Sequence, residues 1–520
     1  MTRSNQNGLS RRRLLQGASA LGGAALILPA GVRRASAEPM KGGVMRFAIA
    51  AGSTSDGYDP GLWDQQFVQV FATARHNYLT EIASDGQLVG ELAEEWASDD
   101  AVTWRFKLRS GVTFHSGKPV TVEDVIASLN HHRGEDSTSA AKPIVESITD
   151  LTKDGDWLVV TLSAANADFP FIVSDYHLAI MPAVDGKIDV TSPDGCGPYV
   201  VDSYEPGVSA TLSRNPNYWK TDRAHLDGIE LITIIDPAAR QNALLTGEVD
   251  VIDPVDKATV GLMQRAGNVR IISVAGTQHY VFPMDSRAAP FSDNNVRMAL
   301  KFGLDRQELV DKILNGYGAL GNDHPISTSN RFHNSDLPQR EYDADQAKFY
   351  LKKAGLETLD VTLSAADAAF TGAVDAAVLY AEKAAAAGIN INVDRAPNDG
   401  YWDNVWMKKP FCASYWGGRP TEDWMFTTAY TTGVPWNETF WSNARFDELL
   451  LAARSELDEA KRREMYFEMQ KIVSDEGATV IPMFASYVMA TNDRVGTPDQ
   501  IAANWTLDGF RAPERWWLTA

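Results

Sequence analysis

The chain has 520 residues, of which 44% are hydrophobic and 22% charged, and its formal net charge at pH 7 is −20. This length is sufficient for two or three domains with sizeable cores. The strong negative charge argues against nucleic acid and anionic membrane surfaces as partners. After the N-terminal leader, no stretch is long and apolar enough to span a bilayer.

The first 37 residues have the composition of an export signal. They contain no acidic residue and carry six arginines, namely Arg3, Arg11, Arg12, Arg13, Arg33 and Arg34. Residues 10–16 are similar to a twin-arginine signal, the apolar stretch 17–29 is too short to span a membrane, and Ala-Ser-Ala at 35–37 predicts cleavage before Glu38. We therefore expect residues 1–37 to be a twin-arginine signal peptide, with an ordinary secretory leader or a disordered basic tail as alternatives.

The chain has two cysteines, Cys196 and Cys412. Neither lies near the predicted cleavage site, so we expect no lipid anchor and a soluble protein of the Gram-negative periplasm. The sequence leaves open whether the two cysteines form a disulfide or remain buried thiols, because it cannot show their proximity.

The mature chain begins with strand and helix patterns. Val44–Ala51 alternates as a strand, and the loop Gly52–Pro60 follows its carboxyl end, where ligands of α/β lobes usually bind. Phe67–Ile82 is predicted to be helical. Residues 144–162 contain a predicted hairpin with Asp154-Gly155 at its turn.

Further helices are predicted from their capping residues. Thr121 and Asp124 form a capping-box pattern at the start of the amphipathic helix Thr121–His132. The same kind of signal opens helices at Asp305 and Asp343, Phe446–Asp475 is largely helical, and Val480–Met489 is a buried strand candidate. Because strands and helices interleave without repeats or linkers, we expect compact α/β lobes.

Several segments carry a family pattern in order. Leu92–Val125 contains a helix end, a strand, a glycine turn, a short strand and a Gly-Lys-Pro turn before a capped helix. It is followed by Gly-Cys-Gly-Pro-Tyr at 195–199, LSRNPNYW at 212–219, LLTGEVDV at 244–251 and PFSDNNVRMALKFGLDRQEL at 290–309. Together these segments resemble the family 5 extracytoplasmic solute-binding proteins, the peptide, nickel and opine receptors of ABC importers.

The resemblance implies an α/β, two-lobed periplasmic binding protein fold with three domains. Lobe 1 would comprise residues 38–282 and 490–520 with a subdomain at about 80–190, and lobe 2 residues 283–489. Two crossing segments, Val274–Phe282 and Met483–Thr491, would form a hinge that closes the lobes around a solute. A monomer that docks on an inner-membrane ABC permease is expected.

The segment Tyr401–Trp441 is the main candidate for ligand binding. It holds six of the fourteen tryptophans, and aromatic walls with a few polar anchors make good small-solute pockets. About half of these rings are expected to belong to the core instead. Within the segment, the predicted contacts are Tyr401, Trp402, Tyr415, Trp416, Gly417, Gly418, Arg419, Asp423, Trp436 and Asn437.

Arg419 bears on the solute class. In the resembling peptide receptors an Asp in this loop holds the ligand's α-ammonium, whereas a guanidinium suits a carboxylate or phosphate. We therefore predict a small anionic solute, peptide-like or opine-like, held by Arg419; the alternatives are that Arg419 is solvated or pairs with Asp423. Elsewhere the candidate contacts are Tyr58 and Asp59 in the first loop and Gln278, His279 and Tyr280 at the hinge.

No motif indicates an enzyme, a cofactor or a structural metal. GVTFHSGK at 111–118 has the wrong spacing for a phosphate loop, and neither Gly-x-Ser-x-Gly nor His-Glu-x-x-His is present. One alternative is a receptor for a metal chelate or haem, with His115, His279 or Met284 as candidate contacts. Another is a binding protein that serves signalling or a chaperone-like role without transport.

Overall fold

The computed structural model describes residues 39–419 and 421–519. The predicted signal peptide and its cleavage site lie outside these residues. Among the described residues, none of the helices combines the length and apolar character that crossing a bilayer requires.

The strands, in chain order, are β1 Val44–Ile49, β2 Thr80–Ile82, β3 Leu88–Gly90, β4 Ala93–Ala97, β5 Thr103–Leu108, β6 Ile148–Asp154, β7 Trp157–Leu162, β8 Ala183–Val184, β9 Lys187–Ile188, β10 Tyr199–Glu205, β11 Ser209–Arg214, β12 Gly228–Thr233, β13 Val251–Asp253, β14 Val269–Pro283, β15 Gly318–Leu320, β16 Leu359–Ala365, β17 Ile389–Arg395, β18 Ser414–Trp416, β19 Thr479–Asn492, β20 Val495–Gly496 and β21 Trp517–Leu518.

The α-helices are α1 Gln66–Arg75, α2 Val122–His131, α3 Lys142–Val145, α4 Phe169–Ile172, α5 Pro237–Thr246, α6 Val260–Gln264, α7 Asn294–Phe302, α8 Arg306–Ile313, α9 Ala344–Lys353, α10 Ala373–Ala385, α11 Tyr401–Asn404, α12 Glu422–Ala429, α13 Ala444–Ser455, α14 Glu459–Glu476, α15 Thr506–Gly509 and α16 Ala512–Arg515. Pro60–Leu62 and Lys257–Thr259 are short 3-10 helices.

A large mixed sheet organises the chain. Its order is β10-β11-β12-β1-β13-β19-β14-β18, and β15 pairs with the edge of β19 that faces away from β14. β1 runs parallel to β12 and β13, whereas the pairs that involve β14 and β19 are antiparallel. A separate four-stranded sheet, β4-β5-β7-β6, packs with α2 around its own hydrophobic core.

The two long strands β14 and β19 pass from one group of cores to another. They pair from Val269↔Asn492 to Pro283↔Thr479, with bulges on the way. At one end Ile272 and Met489 lie in a core with β1 and α1, and at the other end Phe282 belongs to a core with α7 to α10. These strands contain both predicted crossing segments; the exact division into lobes stays a prediction.

Helix capping was predicted well. The Asp124 carboxylate accepts the Thr121 N–H at 2.9 Å, Asp305 accepts the Glu308 N–H at 3.0 Å, and Asp343 accepts the Gln346 N–H at 2.9 Å. In each case the carboxylate satisfies a backbone donor that the first turn of the helix leaves free.

Two local predictions were wrong. The helix predicted to reach Ile82 ends at Arg75, and Thr80–Ile82 is a strand. The chain turns extended there because the buried Glu91 carboxylate accepts both the Asn77 side-chain amide at 2.7 Å and the Tyr78 N–H at 2.8 Å. The predicted helix end after Leu92 is the strand β4, which pairs with β5.

The structure shows that the two cysteines do not form a disulfide. Cys196 and Cys412 are both buried and free. Burial raises the pKa of the Cys196 thiol to about 12, as expected for a structural thiol in apolar surroundings.

Candidate functional site

A cavity of about 400 Å³ lies where six parts of the chain meet. This volume is at the lower end of the roughly 300–1,000 Å³ that is usual for small-molecule pockets. Its walls are the loop between β2 and β3, the helix α4, the middle of β14, the loop that follows β15, the loop after β18 and the segment before α15. The lining residues are Ile82, Ser84, Asp85, Gly86, Gln87, Phe171, Thr277, Thr328, Ser329, Asn330, Arg331, Arg419, Gln500, Ile501, Ala503 and Asn504.

Arg419 brings an unneutralised positive charge to this cavity. Its Nη1 donates to the carbonyl oxygens of Gly417 at 3.2 Å and Gly418 at 3.1 Å, while its buried Nε has no hydrogen-bond partner. No described carboxylate forms an ion pair with it. Burial lowers the pKa of the Arg419 guanidinium, but arginine remains charged in proteins. A carboxylate in the cavity would therefore supply the missing partner.

The predicted alternative, a pair between Arg419 and Asp423, is not formed. Asp423 lies at the start of α12, and its carboxylate instead accepts from Arg454 Nε at 3.1 Å. Asp423 is buried and does not line the cavity. The α12 helix begins with Thr421 as its cap, whose hydroxyl accepts the Trp424 N–H at 3.3 Å.

The loop that carries Arg419 is held against β14 through Gly418. A Cβ built on Gly418 would lie 1.6 Å from Thr277 Oγ1, a distance that no side chain can occupy. Glycine at this position therefore allows the loop to approach β14 closely. Thr277 and Arg419 both line the cavity, so this contact brings the loop of Arg419 close to Thr277.

Arg331 also lines the cavity, but it already has carboxylate partners. Its guanidinium contacts Asp168 Oδ1 at 3.0 Å and Glu459 Oε1 at 3.2 Å. The guanidinium also lies over the Phe171 and Phe332 rings, at 4.5 and 4.2 Å from their centroids. Asp168 in turn contacts Arg462 Nη2 at 2.9 Å. The charge of Arg331 is therefore already paired with carboxylates, whereas the charge of Arg419 is left for an anionic solute.

The predicted hinge residues lie along β14 beside the cavity without lining it. His279 is fully buried; its Nδ1 hydrogen-bonds the Thr277 carbonyl oxygen at 3.0 Å, and burial lowers its pKa to about 4. Tyr280 stacks on Phe370 with ring centroids 4.2 Å apart. Gln278 is half-buried. Thr277, which was not predicted, is the residue of this strand that reaches the cavity.

The two residues predicted in the first loop, Tyr58 and Asp59, contact other residues of the protein. The Tyr58 ring covers the guanidinium of the fully buried Arg75 at 4.5 Å. Asp59 caps the 3-10 helix by accepting the Gly61 N–H at 2.8 Å, and it pairs with His131 Nε2 at 2.7 Å. These contacts give both residues a structural role; a contact with solute stays a prediction.

The aromatic residues of the 401–441 segment surround the edge strand β18. Trp402, Tyr415 and Trp436 remain 38%, 41% and 51% exposed, whereas Tyr401 is buried and donates its hydroxyl to the Ala413 carbonyl oxygen at 2.8 Å. Trp416 is buried and donates to Glu438 at 2.7 Å.

Trp402 contacts Tyr415, and Trp416 contacts Trp436, with ring centroids 5.7 and 6.2 Å apart. Asn437 is buried, and its amide donates to the carbonyl oxygens of Thr431 and Trp441. The structure therefore brings an exposed aromatic group together around β18, and of the fifteen predicted contacts Arg419 is the one that lines the 400 Å³ cavity.

Comparison with known proteins identifies the family. Residues 87–438, more than half of the chain, match the model of the bacterial extracellular solute-binding proteins, family 5 middle domain. The chain belongs to this family. Its members are the substrate-binding proteins of ABC transporters, mostly for peptides, and they are not enzymes. The family predicted from the sequence motifs is confirmed.

Individual relatives are distant but span most of the chain. Di/tripeptide-binding protein 1 of Pseudomonas aeruginosa (strain UCBPP-PA14) is 24% identical over 453 residues, 77% of this chain and 81% of its own length. Heme-binding protein A of Haemophilus influenzae is 26% identical over 292 residues, 51% of this chain and 53% of its own length.

Among solved structures, HbpA2 from Haemophilus parasuis matches with a TM-score of 0.81 at 19% identity, covering 92% of this chain and 100% of that one. This likeness confirms the predicted α/β, two-lobed periplasmic binding protein fold.

Proposed function

We propose that this family 5 protein is a periplasmic receptor that captures a small anionic solute, peptide-like or opine-like, between two lobes. It delivers the solute as a monomer to an inner-membrane ABC permease. The observation that carries the anionic part is Arg419, which lines the cavity with its Nε unpartnered and without an ion pair to any carboxylate of the described residues. The peptide-binding relative supports the transport part.

The proposed capture uses the two crossing strands. β14 and β19 join the core that contains Ile272 to the core that contains Phe282, so we assign lobe 1 to residues 38–282 and 490–520 and lobe 2 to residues 283–489. Thr277 lies in the bulged part of β14 between Ala275 and His279, and it lines the cavity. Bending of the strand at this bulge would therefore open the cavity.

The test is the identity of the natural solute. Protein purified gently from its periplasm would be denatured, and the released small molecules would be identified by mass spectrometry. We expect a molecule with a carboxylate or phosphate, and we expect the Kd of that molecule to rise at least tenfold in Arg419→Gln. A neutral or cationic solute, or an unchanged Kd in the variant, would contradict the role of Arg419.

A receptor for haem or a metal chelate is the second candidate, and the haem-binding relative supports it. None of the three residues considered for a chelate or haem lines the cavity. Met284 is fully buried in an apolar core, His279 is buried beside the cavity, and His115 Nε2 contacts the Gly197 carbonyl oxygen at 3.1 Å. Elemental analysis of the same purified protein separates the two candidates, because a chelate or haem receptor carries bound metal.

Export by the twin-arginine pathway, without a lipid anchor, is part of the proposal. It rests on Arg12 and Arg13 before the apolar stretch and on the absence of cysteine near Glu38. Replacing both arginines with lysine is expected to retain the precursor in the cytoplasm, as judged by fractionation and immunoblotting. Unchanged periplasmic accumulation would favour an ordinary secretory leader.

A further inference from the structure

The cavity is lined mainly by neutral groups that both donate and accept hydrogen bonds. Hydroxyls come from Ser84, Thr277 and Thr328, and carboxamides from Gln87, Gln500 and Asn504. Side chains of this kind match the hydroxyl groups of a polyol, since each hydroxyl is itself a donor and an acceptor. They come from separate parts of the chain, so they face a solute from more than one side.

Some residues that line this cavity have buried polar atoms without a hydrogen-bond partner. Among these atoms are Arg419 Nε, which is a donor, and Asn504 Oδ1, which is an acceptor. Buried polar atoms are normally hydrogen-bonded, because an unsatisfied one costs free energy. A solute that satisfies both must present an acceptor to Arg419 and a donor to Asn504. A hydroxylated carboxylate meets both requirements.

The charges at the cavity favour a single negative group on the solute. Arg331 already contacts Asp168 and Glu459, whereas Arg419 has no carboxylate partner among the described residues. The cavity is also lined by the exposed carboxylate of Asp85, which accepts the Gln87 N–H at 3.0 Å. A second anionic group near Asp85 would be repelled, so the solute needs one carboxylate and an uncharged remainder.

The apolar surface of the cavity is small. It comes from Ile82, Phe171, Ile501 and Ala503, and none of the lining residues is a tryptophan or tyrosine. A solute with large apolar groups, such as haem or a peptide with aromatic side chains, would leave many lining hydroxyls and amides without partners. The lining therefore selects against these classes.

We infer that the cavity binds a hydroxylated monocarboxylate, that is, a sugar acid or a sugar-acid conjugate. This inference rests on the proposed function and narrows its solute class. Arg419 holds the carboxylate, and Asn504, Thr277 and the glutamines hold the hydroxyl groups.

The experiment compares matched probes by thermal shift and calorimetry. D-gluconate is paired with neutral D-sorbitol, D-galacturonate with neutral D-galactose, and Ala-Ala serves as the peptide probe. We expect at least one sugar acid to raise Tm and to bind at least tenfold more tightly than its neutral partner. A sugar acid at about 100 times its Kd should give a large, easily measured increase in Tm.

Substitutions test which side chains of the cavity bind the solute. Arg419→Gln is expected to remove the tenfold preference for the acid over its neutral partner, and Asn504→Ala to weaken both. Arg445→Gln is the control, because Arg445 lies on α13 and pairs with Glu468 and Glu448 away from the cavity; it should leave binding unchanged. Circular dichroism verifies that each variant is folded.

The contrary results are distinct from failure of the proposed function. If neither sugar acid binds, or if sorbitol or galactose binds as tightly as its acid, the inferred solute class is wrong. Binding of Ala-Ala without either sugar acid would overturn the inference and leave the receptor function standing. The proposed function itself would fail if the periplasmic protein carried and bound no solute of any class.

Discussion

The Asp168 carboxylate lies 3.0 Å from the Arg331 guanidinium and joins two separate hydrophobic cores. Asp168 precedes α4, whose Phe169 lies in the core of the four-stranded sheet, whereas Arg331 adjoins Phe332 in the core of α12 to α14. Arg462 contacts the same carboxylate oxygen at 2.9 Å, and the Ala167 N–H donates to the Arg454 carbonyl oxygen at 2.8 Å. Because Arg331 also lines the cavity, these contacts hold together the two parts of the chain beside it.

Asp168→Asn is expected to shift the protein toward an open arrangement of the lobes. The substitution removes the charge that holds two guanidinium groups, and breaking a buried pair costs about 3–5 kcal/mol when a charge is left uncompensated. Spin labels on Val184→Cys and Leu451→Cys, both highly exposed positions, would report the distance between the lobes. The native Cys196 and Cys412 are buried and should not be labelled.

The control for this measurement is Asp154→Asn. Asp154 pairs with Arg105 at 2.6 Å within the four-stranded sheet, so its loss should not alter the distance between lobes. A longer average distance in Asp168→Asn alone is expected. Identical distance distributions in the wild-type protein and Asp168→Asn would contradict a role for Asp168 in closure.

His324 is expected to make stability fall in mild acid. Both of its ring nitrogens are buried without a partner, and burial, with a smaller effect from His333, lowers its pKa to about 3. The unfolded value is about 6.5, so the unfolded chain binds the proton more readily. The contribution of His324 is present above pH 6.5 and is lost progressively as the pH falls toward 3.

The effect of His324 on the free energy of unfolding can reach about 1.4 kcal/mol per pH unit in this window. Urea denaturation at pH 7, 6, 5 and 4 would measure it, and His324→Gln should flatten the slope. His131→Gln is the comparison, because His131 pairs with Asp59. Equal slopes for His324→Gln and wild type would show that His324 is accessible to protons in the folded state.

Gly418→Ala is expected to displace the loop that carries Arg419. The added Cβ would lie 1.6 Å from Thr277 Oγ1, and relieving such overpacking typically costs about 1–3 kcal/mol. Solute affinity should fall with stability, because Thr277 and Arg419 both line the cavity. Gly261→Ala, where the new methyl group meets no atom within 4 Å, should leave affinity unchanged. A fully active Gly418→Ala would show that the loop adjusts without cost.

The two cysteines are expected to react with Ellman's reagent only after unfolding. Both thiols are buried, and burial raises the pKa of Cys196 to about 12, which leaves little thiolate at pH 8. The native protein should release almost no chromophore, and the protein in guanidinium chloride without reductant should release two equivalents. No reaction after unfolding would indicate a disulfide.

The features that could be predicted from the sequence are those that depend on contacts between residues close together in the chain. The aspartates before α8 and α9 and the Asp124 of the capping box satisfy backbone donors within three residues, so their positions could be derived from spacing. The failure at Thr80–Ile82 has the opposite cause. The chain there is held by Glu91, a residue that belongs to another turn and whose proximity no local pattern reveals.

The difference between local and long-range contacts also explains which site residues could be predicted. Arg419 could be singled out because its charge differs from the acid of the resembling peptide receptors. The facing residues, such as Gln87, Thr277 and Asn504, are common polar residues in three unrelated segments. Only the folded arrangement places them around one cavity, and no motif marks them. The aromatic segment was conspicuous in composition, but its rings divide between core packing and the exposed group around β18.

The central claim is that a negative group of the solute binds Arg419. Mass spectrometry of the molecules released from periplasmic protein, followed by calorimetry of the identified molecule with the wild-type protein and Arg419→Gln, tests it most directly. We expect an anionic solute whose Kd rises at least tenfold in the variant. A solute without a negative charge, or an anionic solute that binds both proteins equally well, would contradict it.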